Sequence, residues 1–242
     1  MRYVVPKNLE RISRFQIKQF RRATAGIHPR SCPLCGYEGA FTTTGRPPRY
    51  DALCLGCGSL ERHRLVTLWL DRTKGALKSR SRVLHFAPEP QIGARISEVT
   101  SNYETADLVD TPPVTHTVNI EDTGLPEKTY DMIVCSHVLE HVDDKKALSE
   151  IYRLLKPRGV ALLMTPIVES WEKTYENPEV KTPEERLLHF GQEDHVRIYG
   201  RDFRERVRAA GFDLKEFTAV EPDVLKYGLM RGETLFLATR PA

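Results

Sequence analysis

Four cysteines in two pairs, Cys32-Pro-Leu-Cys35 and Cys54-Leu-Gly-Cys57, stand 18 residues apart, and a glycine follows each pair. Two such knuckles have the spacing of a tetrahedral zinc site with four thiolate ligands and no open coordination position. Gly36 and Gly58 permit the tight knuckle turns. The pattern predicts a structural zinc ribbon over residues 29–58, with Zn2+ on Cys32, Cys35, Cys54 and Cys57. A second constellation has a different chemistry. Ser136-His137-Val138-Leu139-Glu140-His141 gathers a hydroxyl, two imidazoles and a carboxylate, and His189 and His195 follow downstream. If a helix begins near His137, then His137, Glu140 and His141 share one face. Such a face could hold a general base, bind a divalent metal or order a loop.

These residues need a scaffold, and the flanking pattern supplies one. Residues 131–135 are a continuous apolar run, as a strand covered on both faces should be. Ala147, Leu148, Ile151, Leu154 and Leu155 then recur at helical spacing. Pro157 and Gly159 are expected to stop that helix, and 160–164 is a second apolar run. Strand, polar cluster, helix, Pro-x-Gly, strand is half of a doubly wound α/β sheet, which binds ligands at the carboxyl ends of its strands. The other half lies upstream, with strands expected over 82–87, 103–107 and 114–118. Asp107 stands 22 residues beyond His85, placed to accept hydrogen bonds from ribose hydroxyls. Helices are expected over 60–77 and 203–210, and the last strands over 213–220 and 233–239. The polar stretch 167–200 holds Trp171, Tyr175, Arg197 and Tyr199 and has the length of a binding lid. Cys135 sits inside an apolar run and reads as core.

The segments YDMIVCSHVLEHV and YRLLKPRG resemble the class I S-adenosylmethionine-dependent methyltransferases, in the branch with LEH and R-x-L-K-P-x-G motifs. The resemblance runs from about residue 82 to residue 242. It implies a Rossmann-like α/β fold with a seven-stranded sheet ending in a hairpin, and S-adenosyl-L-methionine as cofactor. Family members follow the first strand with a glycine-rich loop. Here the loop reads His85-Phe86-Ala87-Pro88-Glu89-Pro90, with alanine for the first glycine and two prolines stiffening the rest. A donor without a pyrophosphate makes less demand on bare backbone amides than a dinucleotide does. His85, Phe86, Ala87, Pro88, Glu89 and Ser136 are therefore expected along the donor. Asn119, Ile120 and Glu121 fall where the family contacts adenine. In-line methyl transfer asks chiefly for alignment, and a hydroxyl acceptor must also lose its proton. His137 is the first candidate base and His195 the second, with His141 and Glu140 completing the catalytic set. Ubiquinone-biosynthesis O-methyltransferases and small-RNA 3′-end methyltransferases resemble this region through an E-x-x-E-H metal motif. Glu140 and His141 match it and His137 replaces the first glutamate, so a second divalent metal at Glu140 and His141 stands beside plain loop ordering. H-x-x-E-H also marks a class of zinc peptidases, but there it lies in a long helix and here it follows a buried strand.

The 242 residues, 40% hydrophobic and 29% charged, suit one α/β domain with a small appendage. The net charge of +3 hides an asymmetry: residues 1–30 hold eight basic side chains against Glu10 alone. A basic amphipathic helix is expected over 8–25 within a segment 1–28, open to docking, peripheral membrane contact or nucleic acid. No run suggests a transmembrane segment or a signal peptide, so a cytoplasmic location is expected. The expected domains are 1–28, the ribbon 29–58 and the methyltransferase domain 59–242 with its lid 167–200. The expected function is O-methylation of a small-molecule or saccharide hydroxyl. The alternatives are RNA or protein methylation with ribbon and helix docking the substrate, or a binding module that has lost catalysis.

Overall fold

The computed structural model describes residues 26–45, 48–110 and 112–242; the helix expected over 8–25 lies outside them. The chain divides into two compact units, Met1–Leu68 with Ala219–Glu233, and Trp69–Thr218 with Thr234–Ala242. Residues 219–233, expected in the methyltransferase part, thus fall with the cysteine-bearing unit.

In that first unit β1 (Arg30–Ser31) pairs antiparallel with β2 (Glu38–Gly39), and β3 (Thr42–Thr44) with β4 (Arg49–Leu53). Each cysteine pair closes a turn in which a left-handed glycine donates back, Gly36 N–H to the Cys32 carbonyl and Gly58 N–H to the Cys54 carbonyl, both at 2.9 Å. Helix α1 (Glu61–Arg72) starts here and ends five residues before the expected 77. Its Arg64 is fully buried, and its guanidinium donates to the carbonyls of Ala52, Ser59, Tyr227 and Gly228 over the face of Phe41. One side chain thereby ties the ribbon to the segment Ala219–Glu233 of the same unit.

The second unit follows the expected alternation. Its elements are β5 (Val83–Phe86), α2 (Pro90–Ser97), β6 (Tyr103–Asp107), β7 (His116–Thr117), β8 (Tyr130–Ser136), α3 (Asp144–Leu154) and β9 (Leu155–Met164). Then come β10 (Tyr175–Glu176), α4 (Pro183–Phe190), β11 (Arg197–Ile198), α5 (Phe203–Ala209), β12 (Asp213–Thr218) and β13 (Thr234–Thr239). A seven-stranded sheet runs β12-β13-β9-β8-β5-β6-β7, parallel except that β13 opposes both of its neighbours. This is the expected α/β fold with its closing hairpin.

Helix α3 shows how the sequence does this locally. Asp143 caps it, accepting from the amides of Lys145 and Lys146. Ala147, Leu148, Ile151 and Leu154 are buried in the core with Ile133 and Cys135 of β8. Leu148, Ile151 and Leu154 each contribute roughly 1.5 to 3 kcal/mol of burial. The helix ends at Leu154, before Pro157, and β9 already contains Pro157 and Gly159. The expected strand start at 160 was late because a residue preceding proline prefers extended backbone, which carries Lys156 into the strand. The third strand shrinks from 114–118 to His116–Thr117.

Candidate active site

Strands β5 and β8 are adjacent and parallel, with Phe86 opposite Cys135. Their carboxyl ends both turn by the same uncommon device. Ala87 follows β5 at φ 46° and His137 follows β8 at φ 55°, left-handed positions that favour glycine. A side chain there costs about 1 to 2 kcal/mol, and such strain collects at functional sites.

A cleft of about 480 Å3 opens at these ends. Of the expected donor contacts, Phe86, Ala87, Asp107 and Ile120 line it. Asp107 ends β6, and Ile120 is nearly buried. Others lie elsewhere. His85 is wholly buried, with Nδ1 2.9 Å from the Tyr103 hydroxyl, because odd positions of β5 point away from the cleft. Pro88, Glu89 and Ser136 are not on the cleft wall, although the Ser136 hydroxyl is buried without a hydrogen-bond partner. Asn119 Oδ1 accepts from the Glu121 amide at 2.9 Å, and Glu121 Oε1 accepts from the Asp143 amide at 2.8 Å. Both therefore shape the loop floor beside Ile120.

The histidine cluster is assembled differently from expectation. No helix starts at His137: a short 3-10 turn covers Leu139–His141 and α3 begins only at Asp144. The left-handed backbone at His137 instead folds its ring back, leaving Nδ1 3.2 Å from Glu140 Oε1. That is an ion-pair distance without hydrogen-bond alignment, and both Oε1 and His137 Nε2 are buried with no hydrogen-bond partner. The other carboxylate oxygen accepts from the Thr165 hydroxyl at 3.0 Å. Burial alone would raise the Glu140 carboxyl, but His137, then the local backbone and His141, outweigh it and hold it below the usual range. His137 and His141 line the cleft. His195 does not: it is buried edge-on behind His141, ring centroids 4.6 Å apart, and its own burial and the neighbouring His141 depress its pKa.

His195 reaches this place because the insertion after β9 is folded. Strands β10 and β11 pair Tyr175 with Ile198 and Glu176 with Arg197. The buried Arg197 donates to the carbonyls of Leu139 and Val142 and pairs with Glu176 at 2.7 Å. The Val196 amide donates to the Glu140 carbonyl at 2.9 Å. Arg197 and Tyr199, in the stretch expected to form a binding lid, are thus spent on holding the loop after β8, and Tyr175 bonds His189. Helix α4 has a Thr182–Glu185 capping box and ends at the left-handed Gly191. It brings Arg186 to the cleft, where Asp194 also lies. Neither was expected from the sequence. Leu108, also on the wall, follows Asp107 directly and could have been read from that spacing.

Two side-chain sets could hold metal. One donor atom each from Glu140, His141 and His195 lie within 4.8 Å of one another, as do the four thiols. In the thiol set Cys32 Sγ is 3.7 Å from Cys57 Sγ, and Cys35 Sγ is 3.8 Å from Cys54 Sγ. A tetrahedron with metal–sulfur bonds of about 2.3 Å has edges of about 3.8 Å. The sulfurs are far too distant for disulfides, which need about 2.05 Å.

Residues 60–216 match the methyltransferase-domain family. The chain belongs to that family. The ubiquinone/menaquinone biosynthesis C-methyltransferase UbiE of Escherichia coli O1:K1 is 42% identical over 62 residues, which are 24% of this chain and 25% of that protein. The match thus spans about a quarter of such curated relatives. Among solved structures, the CurJ carbon methyltransferase superposes with a TM-score of 0.50 at 16% identity, over 75% of this chain and 53% of that one. The phosphoethanolamine N-methyltransferase 2 of Haemonchus contortus, solved with S-adenosyl-L-methionine, gives 0.48 at 16%, over 76% and 53%. Among the described residues no helix of this methyltransferase-domain protein is long and apolar enough to cross a membrane.

Proposed function

We propose that the chain transfers a methyl group from S-adenosyl-L-methionine to a hydroxyl of a small molecule or saccharide. The observation that carries this is the cleft itself. It joins the open left-handed bend at Ala87, the Asp107 carboxylate, the apolar Ile120 and the His137 and His141 imidazoles at the carboxyl ends of parallel strands. Its volume is that of a small-ligand site. S-adenosyl-L-methionine, when bound, supplies an electrophilic methyl.

The chain's residues do the rest. Asp107 would accept from the ribose hydroxyls, Ile120 would cover the adenine, and Phe86 with Ala87 would form the floor. His137 takes the acceptor's proton: it is on the cleft wall, and Glu140, held by Thr165, steadies its other nitrogen. His141, backed by His195, orients the acceptor. The cysteine cluster holds Zn2+ in a structural role, which its near-tetrahedral edges support.

The test is methyl-labelled donor with a panel of hydroxylated acceptors. Labelled product, with kcat of His137→Gln reduced about 10²- to 10⁴-fold, supports the reading; transfer unaffected by the substitution removes His137 as base. A second reading is transfer to carbon, favoured because UbiE and CurJ are both named as carbon methyltransferases; product NMR separates O-methyl from C-methyl. Glu140 Oε1 has no hydrogen-bond partner, which likewise favours a divalent ion on Glu140, His141 and His195. Metal analysis finding two ions per chain instead of one would support that ion.

A further inference from the structure

The cleft wall carries one cation whose role neither fold nor ribbon explains. Arg186 lines the cleft from α4, and no ion pair or side-chain hydrogen bond joins it to any described residue. Its Nε is shut away from water with no partner. Asp194 shares the wall yet pairs with His141 at 3.4 Å, outside ion-pair reach of Arg186. A buried N–H without an acceptor costs about 1 to 3 kcal/mol. An arginine held so offers its planar fork to a carboxylate or phosphate.

The bend that also lines the cleft offers an anion few donors. Pro88 and Pro90 have no N–H, and the Ala87 N–H is spent on the Ala106 carbonyl at 2.9 Å. Three of the four residues 87–90 therefore cannot donate a backbone hydrogen bond to an anionic group.

We propose that Arg186 anchors an anionic oxygen group, carboxylate or phosphate, lodged in this cleft. The inference rests on the donor reading above. The group has two sources: the methionine carboxylate of the donor, or an acid on the acceptor.

Calorimetry on the full chain tests this with Arg186→Gln and Arg186→Lys. Because the side chain has no partner to lose, both variants should fold as the wild type does, checked by circular dichroism. The probes are S-adenosylhomocysteine, 5′-methylthioadenosine, which lacks the amino-acid arm, and inorganic phosphate added to protein saturated with S-adenosylhomocysteine. If the donor is the source, Arg186→Gln weakens S-adenosylhomocysteine at least tenfold, leaves methylthioadenosine unchanged, and Arg186→Lys recovers part of the loss. If the acceptor is the source, both nucleosides bind as before and phosphate binding to the saturated protein disappears in Arg186→Gln. A folded Arg186→Gln that changes neither overturns the proposal. Should wild type bind neither nucleoside, the donor reading falls instead, and phosphate titrated into the free protein still decides on Arg186.

Discussion

The cysteine cluster and the cleft beyond β8 are both gatherings of basic donor atoms, and they are finished to different degrees. In the cluster the sulfurs approach one another at 3.7 and 3.8 Å, the Ser59 hydroxyl lies 3.3 Å from Cys32 Sγ, and the Gly56 amide donates to Cys54 Sγ at 3.3 Å. Its turns use glycine where the backbone is left-handed. On the cleft wall, His137 Nε2 and Arg186 Nε are buried without hydrogen-bond partners, as are Ser136 Oγ and Glu140 Oε1 on either side of His137 in the chain, and left-handed turns are made by Ala87 and His137. A site that only holds the fold together can satisfy every group it buries. A site that must receive something keeps groups unspent and tolerates strain. That difference holds for the two gatherings themselves; elsewhere in the first unit Asp51 is left-handed too, and its Oδ1 and Arg30 Nε are also buried without hydrogen-bond partners.

The comparison can be broken first at the cluster. If the cluster holds zinc as proposed, Cys54→Ser should remove it and unfold the first unit, read as loss of about one zinc per chain and protease cleavage within residues 26–68. A variant that keeps its zinc and resists protease would show the cluster to be dispensable. Next in size is Arg64→Met, which strands the carbonyls of Ala52, Ser59, Tyr227 and Gly228. It should destabilise by at least about 3 kcal/mol in urea unfolding. A loss below about 1 kcal/mol would mean that those carbonyls find other partners.

The strain side gives a smaller effect with an opposite sign. Ala87→Gly should raise stability or leave it unchanged, by up to about 1 kcal/mol, since glycine adopts φ 46° freely. His137→Gly should be more stable than His137→Ala by a similar amount while both lose turnover. If Ala87→Gly destabilises clearly, its turn is not strained and the contrast weakens. Smallest is a pH effect away from either site. Burial would raise the Glu104 carboxyl, but Arg82, His116 and Tyr130 together hold it down to about 2. A depressed carboxylate stabilises above its unfolded pKa, and that contribution is lost as pH falls toward about 2. Glu104→Gln should flatten the stability curve between about pH 4.5 and pH 2; an unchanged slope would remove Glu104 as a contributor.

Much of this was legible in the residues. Apolar periodicity placed β6 at its observed ends, set the inward stripe of α3 and fixed the alternation that produces the sheet. Cysteine spacing brought four thiols together because knuckle turns are local. What escaped depends on distant contacts or single backbone angles. The left-handed turn at His137 has no sequence marker, so the expected helical face of His137, Glu140 and His141 gave way to a folded-back contact. His85 was assigned to the cleft by neighbourhood, whereas strand alternation turns it into the core. Arg186 and His195 arrive through an insertion whose path is set by Arg197 and Val196 bonding the loop after β8. Residues 219–233 join the first unit through Arg64, a bond across 163 residues that no local pattern announces.

The central claim is that the cleft bounded by Ala87, Asp107 and His137 receives the methyl donor. The most direct measurement is calorimetric titration of S-adenosylhomocysteine into the purified chain, with Asp107→Ala beside it. The account predicts one site per chain, weakened about tenfold or more by the substitution. Absence of binding heat, or equal affinity in both proteins, would contradict it.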